Sequence, residues 1–200
     1  MIAGRITAIA AAASLLALHG CFSFTTQQDA KLWTIECQGS ALLAGAPRLN
    51  EKTPPKTVRL GSVTVAAPWD CDNIVVRRAD GSVARDPYNK FASQPASLLK
   101  GPLVTLALQD GNFGRVMSST TAASPDAILE LNVSELALDC SGSSRKATVV
   151  LSVALISGPG RKVVAEGFGD ARIDASAGDY SAAFSEAFST AVRTAFSQMK

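Results

Sequence analysis

The chain has 200 residues, 47% hydrophobic and 18% charged, with a formal net charge of +2 and no basic run. That balance argues against nucleic acid as a partner, and the length suits one domain with a real core. His19 is the only histidine, beside four cysteines at 21, 37, 71 and 140.

Arg5 precedes an apolar run, Ile6 to Leu18, which ends in His19-Gly20-Cys21. A cationic start, an apolar stretch too short to span a bilayer and a small residue before a cut site form an export signal. Leucine three places before the cysteine and glycine just ahead of it resemble a bacterial lipoprotein signal. The resemblance implies cleavage before Cys21, diacylation of its thiol and acylation of the new amine by palmitate-type chains. Each buried methylene contributes about 0.8 kcal/mol and one chain binds only reversibly, so several chains make attachment effectively permanent. Phe22, where an aspartate would retain the protein in the inner membrane, implies sorting to the outer membrane of a Gram-negative-type bacterium, with the domain facing the periplasm. An ordinary signal peptide with a chance cysteine is the competing reading.

Removing residues 1–20 takes away the sole histidine, and Arg5 is the only charge lost. Without imidazole, most general-base and metal-centre readings fall away. Residues 21–30 read as a polar lipidated tether and residues 31–200 as one domain.

Leu32 to Cys37 alternates Trp33, Ile35 and Cys37 on one side and predicts a first, edge strand. Gly39 to Pro55 reads as a long loop. Thr57 to Ala66 is a strand whose apolar phase shifts across Gly61-Ser62, which predicts a bulge. Pro68 to Asp72 turns the chain, and Asn73–Arg78 and Ser82–Asp86 form a hairpin about Asp80-Gly81.

Pro87 to Asp110 reads as a first helical region. Pro95 suits a first helical turn, Leu98, Leu99, Leu103 and Leu106 give the apolar stripe, and Gly101-Pro102 predicts a kink or break. Phe113 to Ser118 is a short strand, followed by a Ser/Thr/Ala loop. Ala127–Cys140 puts Leu129, Leu131 and Val133 on one face and then Leu136 and Leu138 on the shifted one. With Ala147–Ile156 and Lys162–Ile173 it alternates between turns at Ser141–Ser144 and Gly158-Pro159-Gly160, as an antiparallel meander does. In the last segment, capped by Asp179, Phe184, Phe188, Val192 and Phe196 recur every four residues, an amphipathic helix with a core-facing stripe. Strands followed by a helix, twice over, predict an α+β fold. It has an antiparallel or mixed sheet with two helices packed on one face.

Residues that could carry chemistry are few. Asp70-x-Asp72 is too weak for a cation site, and Gly158-x-Gly160 and Gly167-x-Gly169 lack the context of a dinucleotide loop. Asn132-Val133-Ser134 sits mid-strand, and no Gly-x-Ser-x-Gly is present. Arg77, Arg78 and Arg85 read as a solvated basic hairpin. Catalytic residues, metal and cofactor are therefore expected to be absent, apart from covalent lipid on Cys21. Of the other cysteines, Cys71 and Cys140 are the favoured disulfide pair, with the other pairings and three unpaired thiols left open. No Cys-x-x-Cys is present for a redox role.

The order of these pieces resembles the ABC-type transport auxiliary lipoprotein family. The residues carrying it are the anchor cysteine, Leu32-Trp33-Thr34-Ile35, Val63 to Pro68, Asn73 to Arg78, Asp126 to Val133 and the alanine-rich final helix. The family usually has Trp-Ala-x-Pro-Leu before its first helix. Here Phe91-Ala92-Ser93-Gln94-Pro95 stands there, and the Phe91 ring is expected to pack the helix start on the sheet. The family includes the lipoprotein of a paraquat-inducible intermembrane transport system. The resemblance implies a non-enzymatic docking component of an ABC transporter whose periplasmic subunit carries mammalian-cell-entry (MCE) domains, moving lipids or other hydrophobic molecules between the membranes. Partners would be the MCE-domain protein, the permease and further copies of the chain. A lipoprotein that assembles another outer-membrane complex is the alternative.

Overall fold

The computed structural model describes residues 29–37, 56–110, 113–117, 124–157, 161–176 and 178–199. The signal, Cys21, nearly all of the tether, the Gly39–Pro55 loop and the Gly158-Pro159-Gly160 turn lie outside the described residues. The elements are β1 (Lys31–Trp33), β2 (Lys56–Val65), β3 (Asn73–Arg78), β4 (Val83–Phe91), α1 (Pro95–Leu98), α2 (Lys100–Gln109), β5 (Phe113–Met117), β6 (Ala127–Cys140), β7 (Lys146–Ser157), β8 (Val163–Asp174) and α3 (Tyr180–Gln198).

Strand β6 organises the sheet. One edge pairs antiparallel with β7, which pairs antiparallel with β8, giving the expected meander. The other edge is shared. β2 runs parallel to its first half (Val58 opposite Ala127, Val65 opposite Val133) and β3 parallel to its last residues (Val76 opposite Leu138). β5 then flanks β2, and β4 and β1 extend the sheet beyond β3. The result is a mixed eight-stranded sheet in an α+β fold.

Two phase shifts read from the sequence have a common cause. The register of β2 on β6 slips between Leu60 and Val63, and that of β6 on β7 between Val133 and Glu135. Each bulge adds residues to one strand and moves its apolar side chains back to the buried face. The second sits where β2 ends on β6: Ala66 N–H donates to Val133 O at 2.8 Å, and the chain then swings out through residues 66–72 before re-entering as β3.

Helices α2 and α3 touch each other and cover one face. Leu99, Leu103 and Leu106 are buried, as are Phe184, Phe188, Val192 and Phe196. Phe91 meets Phe184 and Phe113 meets Phe196 edge to face, at 5.2 and 5.6 Å between ring centres. The phenylalanine stripe is thus core. Asp179 caps α3, its Oδ1 accepting from Ala182 N–H at 3.3 Å.

The structure corrects three boundaries. Pro87 to Phe91 is strand, not helix. β4 sets Arg85 opposite Val75 but Lys90 opposite Asn73, so Pro87 lies in a wide bulge where its missing N–H costs no ladder bond. The first helical region breaks at Leu99, just before Gly101-Pro102, because a proline ring at 102 crowds the carbonyl four residues back at Leu98. Strand β1 stops at Trp33, and residues 34–37 leave the sheet for α3.

Candidate functional site

Ser181, Ser185 and Ser189, four residues apart, form one row along α3. Ser181 Oγ donates to Thr34 O at 2.7 Å, and Glu36 N–H donates to Ser185 Oγ at 2.9 Å. Cys37 Sγ lies 3.2 Å from Ser189 Oγ. This segment, which has no neighbouring strand among the described residues, thus finds polar partners on a helix. Its apolar side is fixed as well. Ile35 is buried, Trp33 lies 5.3 Å from the Tyr180 ring, and Trp33 Nε1–H donates to Asn89 Oδ1 at 2.9 Å. The chain arriving from Cys21 is therefore strapped to the domain before it continues towards β2.

A polar cleft of about 570 Å³ opens beside this row, lined by Glu36, Cys37, Gln109, Asp179, Ser185 and Arg193 among others. Burial pushes the Cys37 thiol pKa up, against the Ser189 hydrogen bond and the Arg193 charge, which draw it down. A raised pKa keeps the sulfur protonated at neutral pH, the poor state for a nucleophile. The cleft offers hydrogen bonding rather than covalent chemistry.

Among the described residues, the opposite face of the sheet carries no helix. Arg77 Nη2 lies 2.7 Å from Glu135 Oε1 and its guanidinium sits 5.7 Å from the Trp69 ring centre, so Trp69 of the 66–72 excursion packs beside this ion pair. Arg77 is thus an ion-paired, half-buried residue of the sheet, not part of a solvated hairpin tip. Thr148 is fully buried, and its hydroxyl has no partner among the described residues. Towards β8 lies an open groove of about 560 Å³, lined in part by Asn132, Val150, Ser152, Phe168 and Gln198.

The structure separates most residues singled out in the sequence. Cys21 lies outside the described residues. Cys71 precedes β3 and Cys140 is opposite Arg78 at the far end of that strand, so about 16 Å of extended chain separates two residues that a disulfide needs within about 7 Å. Cys37, Cys71 and Cys140 are free thiols, and burial raises the pKa of each. Asp72 Oδ2 lies 3.7 Å from Lys90 Nζ. Asn132 Oδ1 accepts from Thr64 Oγ1 at 3.1 Å. Gly167 and Gly169 let strand and helix backbones meet, since a Cβ on either would collide with the carbonyls of Ala195 and Ala191. Phe91 is buried at the end of β4 ahead of α1, and the ring it meets is that of Phe184 on α3. The serine row was legible as an i, i+4, i+8 spacing, but the phenylalanines beside it drew the reading towards the core.

A family model described as ABC-type transport auxiliary lipoprotein component matches residues 42–199. Among solved structures, protein XCC0632 from Xanthomonas campestris is similar at a TM-score of 0.59 and 21% identity, over 72% of this chain and 82% of that one. An uncharacterized protein is similar at 0.55 and 10% identity, over 76% and 84%. A PelC dodecamer from Paraburkholderia phytofirmans is more distant, at 0.43 and 12% identity over 73% and 89%. At these identities the first two likenesses speak to the fold alone. No curated protein matches the sequence significantly. The family match spans β2 through α3, nearly the whole described domain, and the chain belongs to the ABC-type transport auxiliary lipoprotein component family.

Proposed function

We propose that the chain is an outer-membrane lipoprotein, anchored through lipid on Cys21 and facing the periplasm, which serves an MCE-type ABC system moving lipids or other hydrophobic molecules between the membranes. Its part is to dock, not to catalyse. The observation that carries this reading is the family match over residues 42–199. The Leu18-His19-Gly20-Cys21 signal and Phe22 support the location.

Crosslinking in cells, followed by pull-down from detergent-solubilised envelopes, tests the partner. Recovery of an MCE-domain protein with its permease is the expected result. Recovery of only another outer-membrane complex would replace transport with an assembly role. The anchor is tested separately: Cys21→Ala is expected to move the protein from the membrane fraction into the soluble periplasm, and persistence in the membrane would overturn lipidation there.

A further inference from the structure

We infer that the face of β1 and β4 turned away from α3 rests on the lipid surface that holds the anchor. In the parallel β1–β4 pair Leu32 stands opposite Lys90, and Tyr88 follows Pro87 in the bulge that leads into this register. Trp33 and Phe91, next along each strand, turn the other way to meet Tyr180 and Phe184 of α3. Leu32 is 66% exposed and Tyr88 53% exposed. An exposed leucine and an exposed tyrosine beside a lysine, whose Nζ also lies 3.7 Å from Asp72 Oδ2, match the layered chemistry of a membrane interface, where an apolar body sits below a polar or cationic tip.

The patch is held rigid. Asp86 Oδ1 accepts from Tyr88 N–H at 2.8 Å and Oδ2 accepts from Asn89 Nδ2 at 2.8 Å, while Asn89 Oδ1 accepts from Trp33 Nε1–H. The Asp86 carboxylate is thereby engaged within the fold.

Chain length selects the lipid surface over other occupants. Lys31 is the tenth residue after Cys21, so the start of β1 stays within about 33–36 Å of the anchored cysteine. The strap on α3 prevents more chain from paying out, because residues 34–37 are bound to the helix. The chain from Cys21 enters the domain at this edge of the sheet, and tethering makes a weak contact sufficient. The inference rests on the lipid anchor of the preceding proposal.

The test uses the purified lipidated chain and its Tyr88→Trp variant in phosphatidylethanolamine/phosphatidylglycerol vesicles, with or without phospholipid brominated near the headgroup. Both proteins are expected to float with the vesicles, and the added tryptophan emission is expected to be quenched by bromine. Adding Leu32→Ser is expected to reduce that quenching without affecting flotation. Flotation without added quenching would overturn this inference and leave the anchor standing. Failure to float would sink the anchor, and this inference with it. Emission that shifts with protein density but not with bromine would mean that a second copy covers the patch, and would overturn it too.

Discussion

The carbonyl oxygen of Ala191 occupies the place where a side chain on Gly169 would begin. The same relation holds between Ala195 and Gly167, so α3 lies on β8 backbone to backbone. Small residues on both elements permit this, and the glycines are set by steric contact rather than by an unusual backbone angle.

Gly169→Ala therefore forces helix and strand apart. The expected loss is about 2–3 kcal/mol, the usual cost of overpacking a core, seen as a lower urea midpoint with an unchanged slope. An unchanged midpoint would show that α3 does not sit so close.

Ser185→Ala removes the acceptor for Glu36 N–H. The expected cost is about 1 kcal/mol, confined to the strap. Amide exchange at Glu36 should quicken while that of Leu131 and Leu151, in the central strands, stays constant. Equal acceleration throughout would mean that the strap does not open separately.

Thr148→Val is expected to be neutral or to stabilise by about 1 kcal/mol, since it removes a buried hydroxyl that has no partner among the described residues. A loss of stability in thermal unfolding would show that the hydroxyl is bonded after all.

Cys37 offers a test by pH. Its folded pKa is raised, so the unfolded thiol loses its proton first as pH rises. The unfolded state then binds fewer protons, and stability falls with rising pH above the unfolded thiol pKa while remaining fully present below it. Alkylation of folded Cys37 should have its midpoint above that of the unfolded chain. Ser189→Ala, which removes the hydrogen bond that lowers the pKa, should move it higher still. A midpoint at or below the unfolded value would contradict the burial of this sulfur.

Much of the fold was legible. The alternation in Ala127–Cys140 and Ala147–Ile156, the slips at Gly61 and after Val133, the Asp80-Gly81 turn and the four-residue recurrence of Phe184, Phe188, Val192 and Phe196 all appear as expected. Pro87 misled the reading, because a strand proline resembles a helix start until the bulge that tolerates it is seen. The strap was hidden for a different reason. Residues 34–37 keep their alternation, but their polar partners lie almost 150 positions away on α3.

The sequence by itself determined most of the strands and the final helix, and which side of each is apolar, because those properties are recorded in consecutive residues. It also supplied Gly20 and Cys21, on which the proposed anchor rests. Only the tertiary structure decided that β2 and β3 share one edge of β6, that most added strands run parallel, and that Cys71 and Cys140 fall at opposite ends of β3. Backbone hydrogen bonds are alike for any two strands, so local pattern cannot choose between partners. That choice falls to the packing of side chains far apart in the chain.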